Sequence, residues 1–126
     1  AGGLLLATPE YNGAVSPLLK NTVDWVTRAD IGALRDTFIG LAAASPGRGG
    51  GARGLAMGRT WFEAMRLTLA DTDLSLPRIH DSVIDGIEVT GDVRPSLDTA
   101  ATTAVAEFVE AYLQQFDEYC SGRPPG

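Results

Sequence analysis

Two apolar segments, each followed by a turn-rich loop and then by a helical pattern, constrain the fold of this chain most strongly. They span residues 3–8 and 37–44. Neither segment alternates apolar with polar residues, which predicts strands buried on both faces, as in a parallel sheet. A third strand is predicted within residues 73–80, ended or kinked at Pro77. Strands that alternate with helices indicate an α/β fold with right-handed crossovers.

Three helical patterns accompany these strands. The first helix has Ser16 as its N-cap and Pro17 at its first helical position. The second spans residues 52–70, and the last begins after Ser96 or Asp98. Their apolar faces are Leu19, Val23 and Val26; Leu55, Phe62, Met65 and Leu69; and Ala101, Val105, Phe108, Val109, Tyr112 and Phe116. Residues 84–89 are ambiguous, and the Asp85-Gly86 and Gly91-Asp92 pairs predict a loop there.

The composition predicts one globular domain with a single core. The chain has 126 residues, of which 44% are hydrophobic and 21% charged, and this excludes a disordered chain. We expect residues 1–120 to form one domain and residues 121–126 a flexible tail. The apolar runs are far shorter than the ~20 residues that a bilayer helix needs. No leader pattern opens the chain, so we expect a cytoplasmic protein without membrane contact.

Charge and residue content narrow the possible functions. A net charge of −6 makes binding to nucleic acid unfavourable. One cysteine, Cys120, and one histidine, His80, leave too little material for a zinc site or a Ser-His-Asp triad. Residues 1–70 carry seven cations and five acids, whereas residues 71–126 carry three cations and eleven acids. The net positive charge of the first half therefore favours binding of an anionic small ligand there over the acidic second half.

The two loops that follow the first two strands are the candidate binding site. Ligands bind beyond the C-terminal strand ends of an open α/β sheet, and each loop leads into a helix N-terminus whose N–H groups favour anions or carbonyl oxygens. Loop 1 (residues 8–13) adds an aromatic side chain, Tyr11. Loop 2 (residues 45–51) holds four glycines, which let a flat ligand approach the backbone closely. The two loops predict a site for a planar ring with polar edges.

The residues of these loops resemble those of a known family. Pro9-Glu10-Tyr11-Asn12-Gly13, followed by Pro17-Leu18-Leu19-Lys20-Asn21 and Asp24-Trp25 at spacings that need no alignment gap, is similar to the signature of the NADPH-dependent FMN reductases. Ser45-Pro46-Gly47 with Gly49-Gly50-Gly51 resembles the second flavin loop of that family. The resemblance covers residues 3–69. It implies a flavodoxin-like, doubly wound parallel sheet that lacks its first βαβα portion, in which the loop for the FMN 5′-phosphate lies.

The same resemblance implies an oxidoreductase of the kind that includes quinone, chromate and azo-dye reductases. Hydride would pass from NADPH or NADH through bound FMN to a quinone, free flavin or similar small acceptor, without a catalytic side chain or a metal. The implied FMN contacts are Pro9, Glu10, Tyr11, Asn12, Gly13, Ser45, Gly47, Gly49 and Gly50. Loop 1 would bind the polar edge of the isoalloxazine ring at a subunit interface, since members of this family commonly form homodimers or homotetramers.

Two other functions stay open. The chain could be a flavodoxin-like subunit that has lost FMN and has a structural or interaction role. Residues 47–52 also satisfy the dinucleotide fingerprint G-x-G-x-x-A, although the acids at the expected distance, Asp71 and Asp73, precede the next predicted strand instead of ending it.

Two single residues also have simpler, structural interpretations. Tyr11 could cover the core under loop 1, and Trp25 could pack in the core or at a subunit interface.

Overall fold

The computed structural model of the chain describes residues 2–89 and 92–122. The first half contains β1 (Gly2–Ala7), β2 (Glu10–Tyr11), β3 (Ala14–Val15), α1 (Pro17–Arg35), β4 (Thr37–Ala44) and α2 (Ala52–Ala64). The second half contains β5 (Thr68–Leu69), β6 (Leu74–Leu76), α3 (Ile79–Ser82), β7 (Val83–Val89), β8 (Asp92–Leu97) and α4 (Thr99–Ser121). The predicted α/β order is confirmed.

A parallel sheet with β4 at its centre organises the fold. β1 pairs with one edge of β4, from Gly2 opposite Thr37 to Ala7 opposite Ala42. β5 and β6 pair in parallel with the other edge of β4, so they are two pieces of one interrupted third strand. The second piece lies within the predicted segment 73–80 and ends before Pro77, as the sequence predicts.

The central strand and its neighbour β1 differ sharply in burial. In β4, Ile39 and Leu41 are 1% and 2% exposed, whereas Leu4 and Leu5 of β1 are 38% and 46% exposed. The prediction that both apolar segments are buried on both faces is therefore confirmed for β4 and wrong for β1. Among the described residues β1 pairs with β4 alone, which leaves its outer edge open to solvent.

Apolar clusters cover both faces of β4. On one face, Ile39 packs with Phe62 of α2 and Val23 of α1. On the other face, Phe38 packs with Tyr112 of α4, whose hydroxyl donates a hydrogen bond to the carbonyl oxygen of Phe38 at 3.0 Å. Most of the predicted apolar stripes therefore face the sheet, and helices lie on both of its sides. Val26 of the α1 stripe is 37% exposed, so its predicted place against the sheet is wrong.

Polar side chains cap the first and last helices. The Ser16 hydroxyl accepts a hydrogen bond from the Leu19 N–H at 3.2 Å, which confirms the predicted start of α1. Asp98, one of the two residues proposed to begin the last helix, caps α4 by accepting from the Ala101 N–H at 2.8 Å. The apolar pattern did not predict the kink of α1 at Asp30, where the backbone is non-helical.

The second helix is shorter than the predicted span of residues 52–70. It ends at Ala64 because Arg66 adopts a positive φ of 61°. The Leu67 N–H then donates back to the Phe62 carbonyl oxygen at 3.1 Å, as at other helix ends of this kind. Leu69 therefore belongs to β5, and its predicted place on the helix face is wrong.

A strand replaces the loop predicted at Asp85-Gly86, and the ambiguous residues 84–89 belong to it. β7 and β8 pair antiparallel, and Asp85-Gly86 lies inside β7, where the register shifts between Ile84 and Ile87. The predicted loop at Gly91 and four residues of the predicted tail, 123–126, lie outside the described residues. Across the described ranges, every helix is too short or too polar to cross a bilayer.

Two glycines of α2 let loop 1 and the residues after it approach this helix. A Cβ atom added at Gly54 would lie 3.1 Å from Cβ of Glu10, and one added at Gly58 would lie 3.0 Å from Cγ1 of Val15. These spacings are tighter than ordinary van der Waals contact. Side chains at these two helix positions would therefore push the β2–β3 hairpin (residues 10–15) away from α2.

We expect Gly58→Val to lower the free energy of unfolding by about 1–3 kcal/mol, because the added methyl groups overlap Val15. Ala56→Val is the matched control, since Ala56 is exposed on the same helix and the change introduces the same β-branched side chain. Urea denaturation measures both variants. Equal losses in the two would show that β-branching in the helix, and not contact with the hairpin, causes the effect.

Candidate functional site

An apolar cleft lies at the C-terminal edge of the parallel sheet. Its volume is about 370 Å³, within the usual range for small-molecule sites. The ends of β1 and β4, the start of loop 1 and β6 form its walls, through Ala7, Thr8, Pro9, Ala42, Ala43, Ala44, Leu74 and Leu76. Because four of these residues are alanines, the surface over the strand ends is apolar and has room for a flat ring.

Thr8 fixes the direction in which the chain leaves β1. Its N–H donates to the carbonyl oxygen of Ala42 at 2.9 Å, and its buried hydroxyl accepts from the Ser16 N–H at 3.4 Å and donates to the Pro9 carbonyl oxygen at 3.1 Å. This role was not predicted from the sequence. The signal that could have indicated it is a threonine at the end of a strand directly before a proline.

Most of loop 1 folds into the tight β2–β3 hairpin. Tyr11 lies opposite Ala14, and the two residues between them, Asn12 and Gly13, have φ values of 53° and 82°. Positive φ at both central positions is characteristic of a type I′ turn, for which Asn-Gly is the preferred pair. From the sequence, Asn12-Gly13 was interpreted only as part of a loop, although this pair is a known signal for a hairpin.

The carboxylate of Glu10 caps the N-terminus of α2. Its Oε2 atom accepts hydrogen bonds from the N–H groups of Arg53 and Gly54, both at 3.1 Å. Its Oε1 atom accepts from Nε and Nη2 of Arg53 at 3.1 and 2.9 Å. Gly51 occupies the N-cap position and has no side chain to supply an acceptor. Glu10 therefore satisfies backbone donors that the first turn of the helix leaves open.

This cap changes the expected role of the helix N-termini. Both helix N-termini were expected to favour an anion or a carbonyl oxygen of a ligand. However, the Leu19 N–H donates to Ser16, and the N–H groups of Arg53 and Gly54 donate to Glu10. For these three donors the expectation is wrong, because side chains of the chain itself occupy them.

The same contacts remove the support for the dinucleotide fingerprint. A pyrophosphate at the N-terminus of α2 would need the N–H groups that Glu10 occupies. The acids expected to bind a ribose, Asp71 and Asp73, lie between the two pieces of the third strand. Asp73 accepts a hydrogen bond from Nε of Arg59 at 3.2 Å, so its carboxylate is engaged within the protein.

Loop 2 packs against the residues that follow β6. The Ser45 N–H donates to the Leu76 carbonyl oxygen at 3.1 Å, and the Ile79 N–H donates to the Ser45 carbonyl oxygen at 3.0 Å. The carbonyl oxygen of Gly47 accepts from the Arg78 N–H at 3.0 Å. These bonds hold loop 2 beside the cleft, next to Ala44.

The glycines of loop 2 have different surroundings. Gly50 and Gly51 have φ values of 57° and 84°, and a Cβ atom there would lie 2.8 Å from the Pro77 nitrogen and 2.5 Å from Cβ of Ala43, respectively. The turn and its packing therefore require both of these glycines. A Cβ atom at Gly49 would have no neighbour within 4 Å. A Cβ atom at Gly47 would make only an ordinary contact, at 3.7 Å from Oγ of Ser45, so Gly47 and Gly49 are the loop 2 glycines with open space beside them.

Loop 1 contacts the start of α2 through Glu10, and loop 2 leads directly into the same helix. Pro9 lines the cleft, Glu10 links loop 1 to α2, and Tyr11 is 57% exposed, so the interpretation that Tyr11 covers the core is wrong. Trp25 is 68% exposed on α1, which excludes its interpretation as a core residue. Nζ of Lys20 bonds to Asp24 and lies 5.2 Å from the ring centroid of Trp61 on α2.

Glu10 makes the stability of the protein depend on pH. The hydrogen bond from the Gly54 N–H, with further contributions from Arg53, lowers the pKa of Glu10 below its ordinary value of 4.5. Because the folded-state pKa is lowered, this stabilisation is present above the ordinary pKa and is lost as the pH falls through the folded-state value. We expect the free energy of unfolding of the wild type to fall more steeply in acid than that of Glu10→Gln. Urea denaturation between about pH 3 and pH 7 measures both, and parallel curves would contradict the expectation.

Comparisons with known proteins agree with this architecture. The family model described as NADPH-dependent FMN reductase matches residues 1–81. An NAD(P)H-dependent FMN reductase of Pseudomonas aeruginosa is 42% identical over 53 residues, which are 42% of this chain and 29% of that protein. The aligned part of the chain thus spans less than a third of the length of this curated relative. The matched family is flavodoxin-like, in agreement with the parallel sheet and its flanking helices.

Proposed function

The chain belongs to the NADPH-dependent FMN reductase family, and we propose that it is an oxidoreductase that uses bound FMN and NADPH or NADH to reduce a quinone, free flavin or similar small acceptor. The observation that carries this proposal is the apolar cleft at the C-terminal edge of the sheet, which Thr8 and Pro9 of loop 1 line and beside which loop 2 continues from Ala44. The acceptor and a cytoplasmic location stay predictions.

The described residues fit the ring of FMN. Ala42, Ala43 and Ala44 give the cleft an apolar surface, and Pro9 lines it from the side of loop 1. On the side of loop 2, Gly49 leaves open space where any other residue would place a side chain. We therefore assign the flat, mostly apolar ring system to this cleft, with its polar edge toward the loops.

The described residues do not offer the same fit to the FMN phosphate. Phosphate groups bind well at free helix N-termini, but Ser16 caps α1 and Glu10 caps α2. Our proposal therefore concerns the ring alone, and no residue of the described part is assigned to the phosphate.

The contribution of the chain is to bind and orient the ring and to exclude water from it. The chemistry that FMN supplies when bound is acceptance of a hydride from NAD(P)H and its transfer to the acceptor. The apolar strand ends shield one face of the ring, because water has no polar partner on the alanine side chains. Backbone N–H groups of the loops favour negative charge on a neighbouring ring edge. No side chain has to donate or remove a proton in this arrangement.

We expect Gly49→Val to weaken FMN binding at least about tenfold, or by ~1.4 kcal/mol, because our proposal places the ring near the open surface of Gly49, which the new side chain would cover. Stability should stay within about 0.5 kcal/mol of the wild type, since the new side chain meets no other residue. Arg48→Val is the matched control, because Arg48 is exposed in the same loop and is not assigned to the site. The visible absorption spectrum and a fluorescence titration with FMN measure retention and affinity.

The wild-type titration also separates the proposed functions. A wild-type protein that binds no FMN would overturn the reductase proposal and favour the non-catalytic subunit. If the wild type binds FMN and Gly49→Val binds it equally well, the ring does not lie against loop 2.

We further propose that two copies of the chain associate through the outer face of α1. Leu18 and Trp25 are 76% and 68% exposed and lie seven residues apart, hence on the same side of the helix. Trp25 borders a surface depression together with Asn21, Asp24 and Arg28. Asp24 and Arg28 carry opposite charges one turn apart, so an antiparallel second α1 would place each beside its opposite charge.

We expect Trp25→Ser to shift the protein from dimer to monomer, because the exposed indole is the largest apolar group on this face. Leu113→Ser, which removes an exposed apolar side chain from α4, serves as the control. Sedimentation velocity measures the mass of each protein. A monomeric wild type, or a dimer that is unchanged by Trp25→Ser, would contradict the proposed interface.

A further inference from the structure

We propose that Glu10 is a positioning residue for the flavin site, and that the ring of FMN is held between the loops only while the Glu10 carboxylate caps α2. This inference rests on the proposed function. It assigns the side chain of Glu10, and not its backbone alone, to the binding of the cofactor. Glu10 would act through the loops, without contact with the reacting atoms.

The cap of α2 differs from the other two helix caps in its distance along the chain. Ser16 and Asp98 each cap a helix through an N–H group three residues further on. Glu10 instead caps α2 through N–H groups 43 and 44 residues away. A local cap would stabilise the start of α2 equally well. A cap supplied by the other loop also fixes the position of one loop relative to the other.

The β2–β3 hairpin needs this connection because it has little structure of its own. Each of its strands has two residues, and a hairpin of this size is not stable in isolation. Its contacts with α2 are made across Gly54 and Gly58, where small spacings allow close approach. Without the Glu10 contacts, the first strand of the hairpin would lose its polar attachment to α2.

The hydrogen bonds of Glu10 lie close in sequence to both loops, because Glu10 belongs to loop 1 and its partners Arg53 and Gly54 lie in the first turn of α2, which directly follows loop 2. Pro9, which lines the cleft, is the neighbour of Glu10, and loop 2 ends one residue before α2 begins. The guanidinium of Arg53 extends the connection toward the turn, since a Cβ atom at Gly13 would lie 4.0 Å from its Cζ atom. A movement of Glu10 away from α2 therefore shifts Pro9 relative to the end of loop 2.

The test compares Glu10→Ala and Glu10→Gln with the wild-type protein. FMN affinity is measured by fluorescence titration at neutral pH, well below the unfolding temperature of each variant. The visible spectrum of bound FMN reports the surroundings of the ring. Amide exchange of Arg53 and Gly54, followed by NMR without FMN, reports the cap itself. Glu63→Gln is the control, because Glu63 is an exposed acid of the same helix whose nearest cation is Arg59 at 3.8 Å.

We expect Glu10→Ala to weaken FMN binding at least tenfold, to change the spectrum of any bound flavin and to speed exchange at both amides. Glu10→Gln keeps a carbonyl oxygen for the N–H groups but loses the ion pair with Arg53, so we expect it to recover part of the affinity. Glu63→Gln should match the wild type in all three measurements.

The outcomes separate this inference from the proposed function. If folded Glu10→Ala exchanges its amides faster but binds FMN as tightly as the wild type, Glu10 is a structural cap alone, and the inference fails while the proposed function stands. If the wild type binds no FMN, both fail. If Glu10→Ala does not fold, Glu10→Gln decides, and wild-type FMN affinity in that variant would overturn the inference whether or not the two amides exchange faster, because the ring would then bind without the carboxylate.

Discussion

The arrangement of the candidate site depends on one charged interaction, the capping of α2 by Glu10. The carboxylate is 13% exposed and accepts two backbone and two guanidinium hydrogen bonds. Charge-assisted bonds of this kind are stronger than those between neutral groups. They join a hairpin with two-residue strands to the first turn of the helix that follows loop 2, and so connect loop 1 to the end of loop 2.

The parallel sheet provides the surface on which this interaction acts. β4 is buried between two apolar clusters, and β1, β5 and β6 pair with it in one direction, so their C-terminal ends meet at one edge. Small residues at those ends leave the cleft open, while the bonds of Thr8 direct loop 1 over it. A family match over residues 1–81 covers the sheet and both loops.

Much of this fold could be predicted from the sequence because its signals are local. The N-cap at Ser16, the end of the third strand at Pro77 and the apolar stripe around Phe108 each depend on residues a few positions apart, and the structure confirms them. The predictions that failed depend on wider context. The exposure of Leu5 depends on which strands lie beside β1, and the early end of α2 depends on a left-handed Arg66 that no helix propensity indicates.

The sequence by itself determined the α/β order, the two loops at the strand ends and the resemblance to a flavin-binding family, because periodicity and short motifs need no knowledge of distant contacts. Only the tertiary structure decided which residues do what within the loops. The Glu10 side chain caps α2, Gly50 and Gly51 are required by the turn and its packing, and Gly49 has open space beside it. The roles of Glu10 and Gly50 follow from contacts with residues 25 or more positions away along the chain, which the spacing of residue types does not encode.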